Sequence, residues 1–211
     1  MKKNNKLALL SAITVTAGIG LFSANVNADT YINAAQYTQD AQQLNNIFTN
    51  KNKDYSLQTV TVMNNKNKDN KQEPVYKLVG FNKDKTKEVL MKVDANKTSN
   101  VVKDKTGKMD SKDKKKAEAL DIKDVKKNPT DAINLAKKYA NDQSNPTQWT
   151  LTTWTHKDKK IPVYKVVFEK NNNANASSAS SAKSSSKEKV KKTIVKVNAT
   201  TGDRISVKDV D

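Results

Sequence analysis

The chain has 211 residues, a formal net charge of +17, 35% hydrophobic and 29% charged residues, one histidine and no cysteine. The missing thiols exclude disulfides, thiolate nucleophiles, cysteine–metal sites and a lipidated cysteine. So low an apolar content excludes one large core and favours small, marginally stable units with polar loops, while the charge directs attention to anionic partners.

In chain order, Met1 to Lys6 is a short cationic start, Leu7 to Phe22 is an apolar run without charge, and Ser23 to Ala28 ends in the small residues Val26-Asn27-Ala28. That is the layout of a secretory signal, and the apolar run is shorter than the roughly 18 to 20 residues that cross a bilayer. The expectation is export with cleavage after Ala28, leaving no transmembrane segment in the mature chain.

A first unit is expected over residues 29–105. Tyr37, Ala41, Leu44 and Phe48 form one stripe of a helix from about Tyr31 to Asn50. Strands follow at Tyr55 to Met63, Val75 to Phe81 and Val89 to Val93, with a short fourth around Val101 and Val102. The polar stretch Asn64 to Glu73 reads as a loop. Residues 106–125 are dense in charge and read as a linker.

A second unit is expected over residues 126–211. Asn128-Pro129 is an N-cap followed by proline at the first helical position, with Asp131 in the first turn and Ala132, Leu135, Ala136 and Tyr139 as the stripe. Strands are predicted at Trp149 to Trp154, Val163 to Glu169, Thr193 to Val197 and Arg204 to Lys208. The Ser/Ala/Asn/Lys tract 171–192 buries too little to repay its ordering entropy and reads as a flexible loop.

The two units repeat one another. Pro74-Val75-Tyr76-Lys77-Leu78-Val79 recurs as Pro162-Val163-Tyr164-Lys165-Val166-Val167, and Lys92-Val93-Asp94-Ala95 recurs as Lys196-Val197-Asn198-Ala199. Asp40, Ala41, Leu44 and Phe48 align with Asp131, Ala132, Leu135 and Tyr139. Length changes fall in polar loops, the mark of a duplicated folded unit. The helix stripe, the Val-Tyr-Lys-Val-Val strand and the hairpin Val-Lys-Val-Asn-Ala-Thr-Thr-Gly-Asp-Arg-Ile resemble the PepSY domain. The resemblance covers 128–209 and, more weakly, 31–105, where Thr98 replaces Gly202. It implies an α+β fold of two tandem PepSY-like units, each one helix packed on a small antiparallel sheet. It also implies a binding or inhibitory role toward a peptidase or other envelope protein, and it carries no catalytic motif.

Reactive chemistry is sparse. His156 reads as a solvated loop histidine, and no serine has the context of a nucleophile. Asp104, Asp110 and Asp113 around Gly107 lack the spacing of a calcium loop, and one histidine without cysteine excludes a typical zinc site. No catalytic residue, metal or cofactor is expected. Nucleic acid is disfavoured for want of a recognised module. Lysines remain: Lys112, Lys114, Lys115 and Lys116 form the candidate contact for a polyanion, with a second run at Lys189, Lys191 and Lys192. Trp149 and Trp154 must face opposite sides of one strand, one toward the core. The leading expectation is a secreted, non-catalytic binding protein with a protein partner. Its alternative is a cationic protein retained at the cell wall by anionic polymers.

Overall fold

The structure is a computed structural model and describes residues 32–66, 71–156, 159–170 and 191–210. Of His156 and Lys170 it describes the backbone alone. Ala28 and residues 171–190 lie outside the described residues.

Helix α1 spans Ala41–Lys51 and α3 spans Pro129–Ala140. The first begins later than its apolar stripe suggests. The Asp40 side chain accepts hydrogen bonds from Gln42 N and Gln43 N, which fixes the helix start there, while residues Ala34–Gln36 form a separate 3-10 turn. In α3 the Asn128 side chain accepts from Asp131 N at 2.8 Å, Pro129 supplies a preset φ, and Asn141 closes the end in the left-handed region at φ 50°. Buried faces are Ala41, Leu44 and Phe48 on α1, and Ala132, Ile133 and Ala136 on α3.

Eight strands follow the expected alternation: β1 Tyr55–Lys66, β2 Gln72–Asn82, β3 Lys87–Asp94, β4 Val101–Lys108, β5 Gln148–His156, β6 Lys159–Lys170, β7 Lys191–Asn198 and β8 Arg204–Val210. They form one antiparallel sheet in the order β4-β3-β2-β1-β5-β6-β7-β8. The expectation of two units, each a helix on its own small sheet, is therefore corrected. Strands β1 and β5 pair directly, with Thr59 opposite Thr152, Val60 opposite Leu151, Thr61 opposite Thr150 and Val62 opposite Trp149. This seam satisfies backbone groups that two separate sheets would leave on inner edges.

It also merges what would be two cores into one. Trp149 is 1% exposed, its ring lies 6.1 Å from that of Tyr76 and 6.0 Å from that of Tyr164, and its Nε1 donates to Tyr37 O at 2.9 Å. Around it, Val60, Val62, Leu78, Met91, Val93, Leu151, Val166, Val195 and Val197 form a single apolar cluster with the buried faces of α1 and α3. Each such side chain, fully buried, is worth about 1.5–3 kcal/mol.

One close approach demands a glycine. A Cβ on Gly80 of β2 would stand 2.4 Å from both the Phe48 ring and the Ser56 carbonyl, so α1 can press its phenylalanine onto the sheet only there.

The charged segment after β4 is tied down along its length. It holds the short helix α2, Ser111–Lys116, and a 3-10 turn at Ile122–Asp124. Lys85 Nζ donates to Ala117 O, Leu120 N donates to Leu57 O at 2.8 Å, and the Thr153 hydroxyl donates to Ala119 O at 3.0 Å. Residues Ala119 and Leu120 thus bond to both β1 and β5. The region read as a loop histidine also shifts: His156 is the last residue of β5, opposite Lys159.

Candidate functional site

Alternation along each strand sends the core residues to the side carrying α1 and α3 and their neighbours to the opposite face. Across that second face the register assembles a row that no single strand contains. Lys103 of β4 lies opposite Lys92 of β3, and Lys92 opposite Lys77 of β2. Lys77 faces Thr61 of β1, Thr61 faces Thr150 of β5, and Thr150 faces Lys165 of β6. Lys165 faces Lys196 of β7, which faces Ser206 of β8. Lysines flank a central threonine pair whose hydroxyl oxygens are 3.0 Å apart.

Largely apolar rows, broken by threonine and glutamine near the seam, border the lysines. Leu90, Val79 and Val163 stand on one side, with Thr59 and Thr152 between the valines, and Val75, Met63, Val167 and Ile194 on the other, with Gln148 opposite Val167. Val75 is 0% exposed and Val163 1% on the face opposite α1 and α3, where the long stems of neighbouring side chains shield them. One corner is covered differently, where Phe81, Met109 and Ala117 form a small cluster under the chain leading into and out of α2.

The electrostatics follow from this packing. Burial lowers the pKa of Lys77, Lys92, Lys165 and Lys196, because an ammonium half-removed from water is penalised. Like charges add to the effect: Lys103 and Lys77 on Lys92, Lys196 and Lys192 on Lys165, and Lys208 on Lys196. Glu88 partly offsets it at Lys77, and is itself pushed up by burial and by Asp113 and Asp110. Lys92 Nζ donates to Asn65 Oδ1, and Lys196 Nζ sits 5.8 Å from the centre of the Trp154 ring. Directly opposed like charges destabilise a sheet, and a polyanion laid across both clusters would add counter-charge to them.

The sequence-predicted lysines lie outside this row, although Lys192 shares its face. Lys112, Lys114, Lys115 and Lys116 are exposed on α2, beside Asp110 and Asp113. Lys191 and Lys192 are on β7, where Lys192 bridges Glu169 at 2.9 Å; Lys189 lies outside the described residues. The row has no signature as a run along the chain, because its lysines are single residues on five different strands. Their signal was present: Lys77 and Lys165, and Lys92 and Lys196, are matched positions of the repeat. Trp149 enters the core and Trp154 takes the lysine face, as alternation requires. Among the described residues, no group of three or more His, Asp or Glu side chains is placed to hold a metal ion, and no helix is long and apolar enough to cross a membrane.

No family model matches the chain, and no curated protein matches its sequence. Among solved structures, the chain is similar to a lipoprotein candidate from Clostridium difficile 630, with a TM-score of 0.61 and 23% identity over 86% of this chain and 99% of that one. That likeness is one of fold.

Proposed function

We propose that this is an exported, non-catalytic envelope protein that binds anionic wall polymer through the lysine-bearing face of its sheet. The observation that carries this reading is the cross-strand row Lys103, Lys92, Lys77, Lys165 and Lys196, five cations on the sheet face opposite α1 and α3. The signal-like start and the lipoprotein description of the similar fold support an envelope location. With no cysteine to acylate, these residues offer ionic contact as the means of retention. The test is co-sedimentation with purified wall polymer across a salt series. Binding should weaken steadily with salt and be lost when Lys77, Lys92, Lys165 and Lys196 are all changed to Gln. Retention unchanged by salt or by those changes refutes the reading.

A second reading has its own observation. The exposed large apolar residues Val102 and Val207 lie on the two edge strands, β4 and β8, where an extended segment of a partner could add a strand. The PepSY resemblance would make that partner a secreted peptidase. A stoichiometric, salt-resistant protein in a pull-down, lost on Val102→Lys or Val207→Lys, would favour it.

A further inference from the structure

We propose that the two lysine clusters act as a single track, on which one linear phosphate-bearing polymer lies across the strands and bridges the seam between β1 and β5. This deepens the polyanion reading and rests on it.

The argument begins with register. Neighbouring strands are about 4.8 Å apart, so the row from Lys103 on β4 to Lys196 on β7 is about 29 Å long. Lys77 and Lys165, the inner members, are separated by β1 and β5 and therefore stand about 14 Å apart. An isolated phosphate can reach one cluster; only an extended anion reaches both. Direction is set by the apolar borders. A charged chain running along the strands would leave the lysines and meet Val75, Val79, Val163 and Val167, whereas one running across them meets a cation or a hydroxyl at each strand.

The centre of the track specifies the repeat. Thr61 and Thr150 hydrogen-bond each other, and each hydroxyl retains further acceptor capacity. A neutral, hydroxylated stretch between phosphates matches this position, because the pair presents hydroxyls where each flanking strand presents a lysine. The occupant is therefore a linear phosphodiester polymer with polyol or sugar repeats, engaged at two sites with avidity. Linking two modest contacts on one rigid sheet raises affinity by about 10²-fold or more over either alone.

The test uses the full chain and linear polyphosphates graded in length, with calorimetry reading affinity and stoichiometry. Tripolyphosphate should bind two per protein, and chains longer than the row one per protein, about 10²-fold tighter. Lys77→Gln with Lys92→Gln, or Lys165→Gln with Lys196→Gln, should each remove one short-chain site and return the long chain to short-chain affinity. Each pair should also lower the salt slope by about two. Should a pair fail to fold, Lys103→Gln on the edge strand reads the first cluster with less disturbance. A stoichiometry of two at every length, or long-chain affinity indifferent to the loss of one cluster, overturns the track and leaves the polyanion reading standing. Failure of every polyphosphate to bind overturns both. Tighter binding of polyglutamate or single-stranded DNA than of a polyol-phosphate polymer of equal charge overturns the assigned occupant.

Discussion

Tyr76 and Tyr164 occupy the same place in the two halves of the sheet, yet they hold the chain with opposite polarity. The Tyr76 hydroxyl accepts from Gln39 N at 3.0 Å, and the Tyr164 hydroxyl donates to Lys127 O at 3.0 Å. Gln39 and Lys127 each immediately precede a helix N-cap, so both tyrosines tether the entry of a helix to the second strand out from the seam. Bulk is partitioned differently as well. In the first half the helix contributes Phe48 and the strand yields with Gly80; in the second the matched strand position is the buried Phe168, and the helix position matched to Phe48 is Tyr139, whose hydroxyl donates to Gly202 O at 2.8 Å. What the halves share is the tether, the apolar alternation and the outward lysines. Cores tolerate changes of volume between packed positions, and the difference teaches that the bulk filling the helix–sheet contact can come from the helix in one half and from the strand in the other.

The largest effect should come from the seam that joins the halves. Trp149→Ala removes the ring between Tyr76 and Tyr164 and should cost about 3–5 kcal/mol in denaturant unfolding; a cost under about 1 kcal/mol would mean the halves are held together by backbone pairing alone. Gly80→Ala should cost about 1–3 kcal/mol by overpacking. Because the clash is shared between the Phe48 ring and the Ser56 carbonyl, Phe48→Leu should relieve part of the cost of Gly80→Ala, a non-additivity measured by a double-mutant cycle.

The tyrosines sharpen the comparison through pH. Burial raises both phenols above their ordinary value of 10.0, so the folded state keeps protons that the unfolded chain releases. Their contribution to stability is complete below pH 10 and is lost as pH rises beyond it. Tyr164→Phe should cost about 1 kcal/mol at neutral pH, by stranding Lys127 O, and should flatten the alkaline loss. Tyr76→Phe should flatten it less, since the Gln39 N–H favours the ionised Tyr76 and opposes its shift.

The smallest effect on stability falls on the lysine face, and its sign is informative. A lowered lysine pKa means that folding disfavours the charged form, so stability from these groups rises as pH climbs through the lowered value toward 10.5. Lys77→Met or Lys165→Met should therefore be neutral or slightly stabilising in thermal melts while weakening polyanion binding, the trade expected of residues kept for a ligand. Lysines kept only for solubility would show no loss of binding.

Much of this was readable from the residues. The Asn128-Pro129 helix start, the strands around Val75-Tyr76 and Val163-Tyr164, and the opposed faces of Trp149 and Trp154 follow from caps and period-two alternation, which act locally. The beginning of α1 at Ala41 was also local, signalled by Asp40, but the apolar stripe reaching back to Tyr37 masked it. Tyr37 instead packs against the core from outside the helix and offers its carbonyl to Trp149. Residues 106–125 read as a linker because nothing in their charge pattern reveals that Leu120 and Ala119 bond to β1 and β5.

Local chemistry was enough to dictate the elements, their faces and the outward placement of each lysine, since propensity, capping and alternation depend on near neighbours. Whether there would be one sheet or two, and whether scattered lysines would line up, depended on pairing between residues about ninety positions apart, such as Thr61 and Thr150. Strand pairing at that distance is governed by satisfaction of edge hydrogen bonds and closure of a shared core around Trp149, quantities that exist only once the chain has folded.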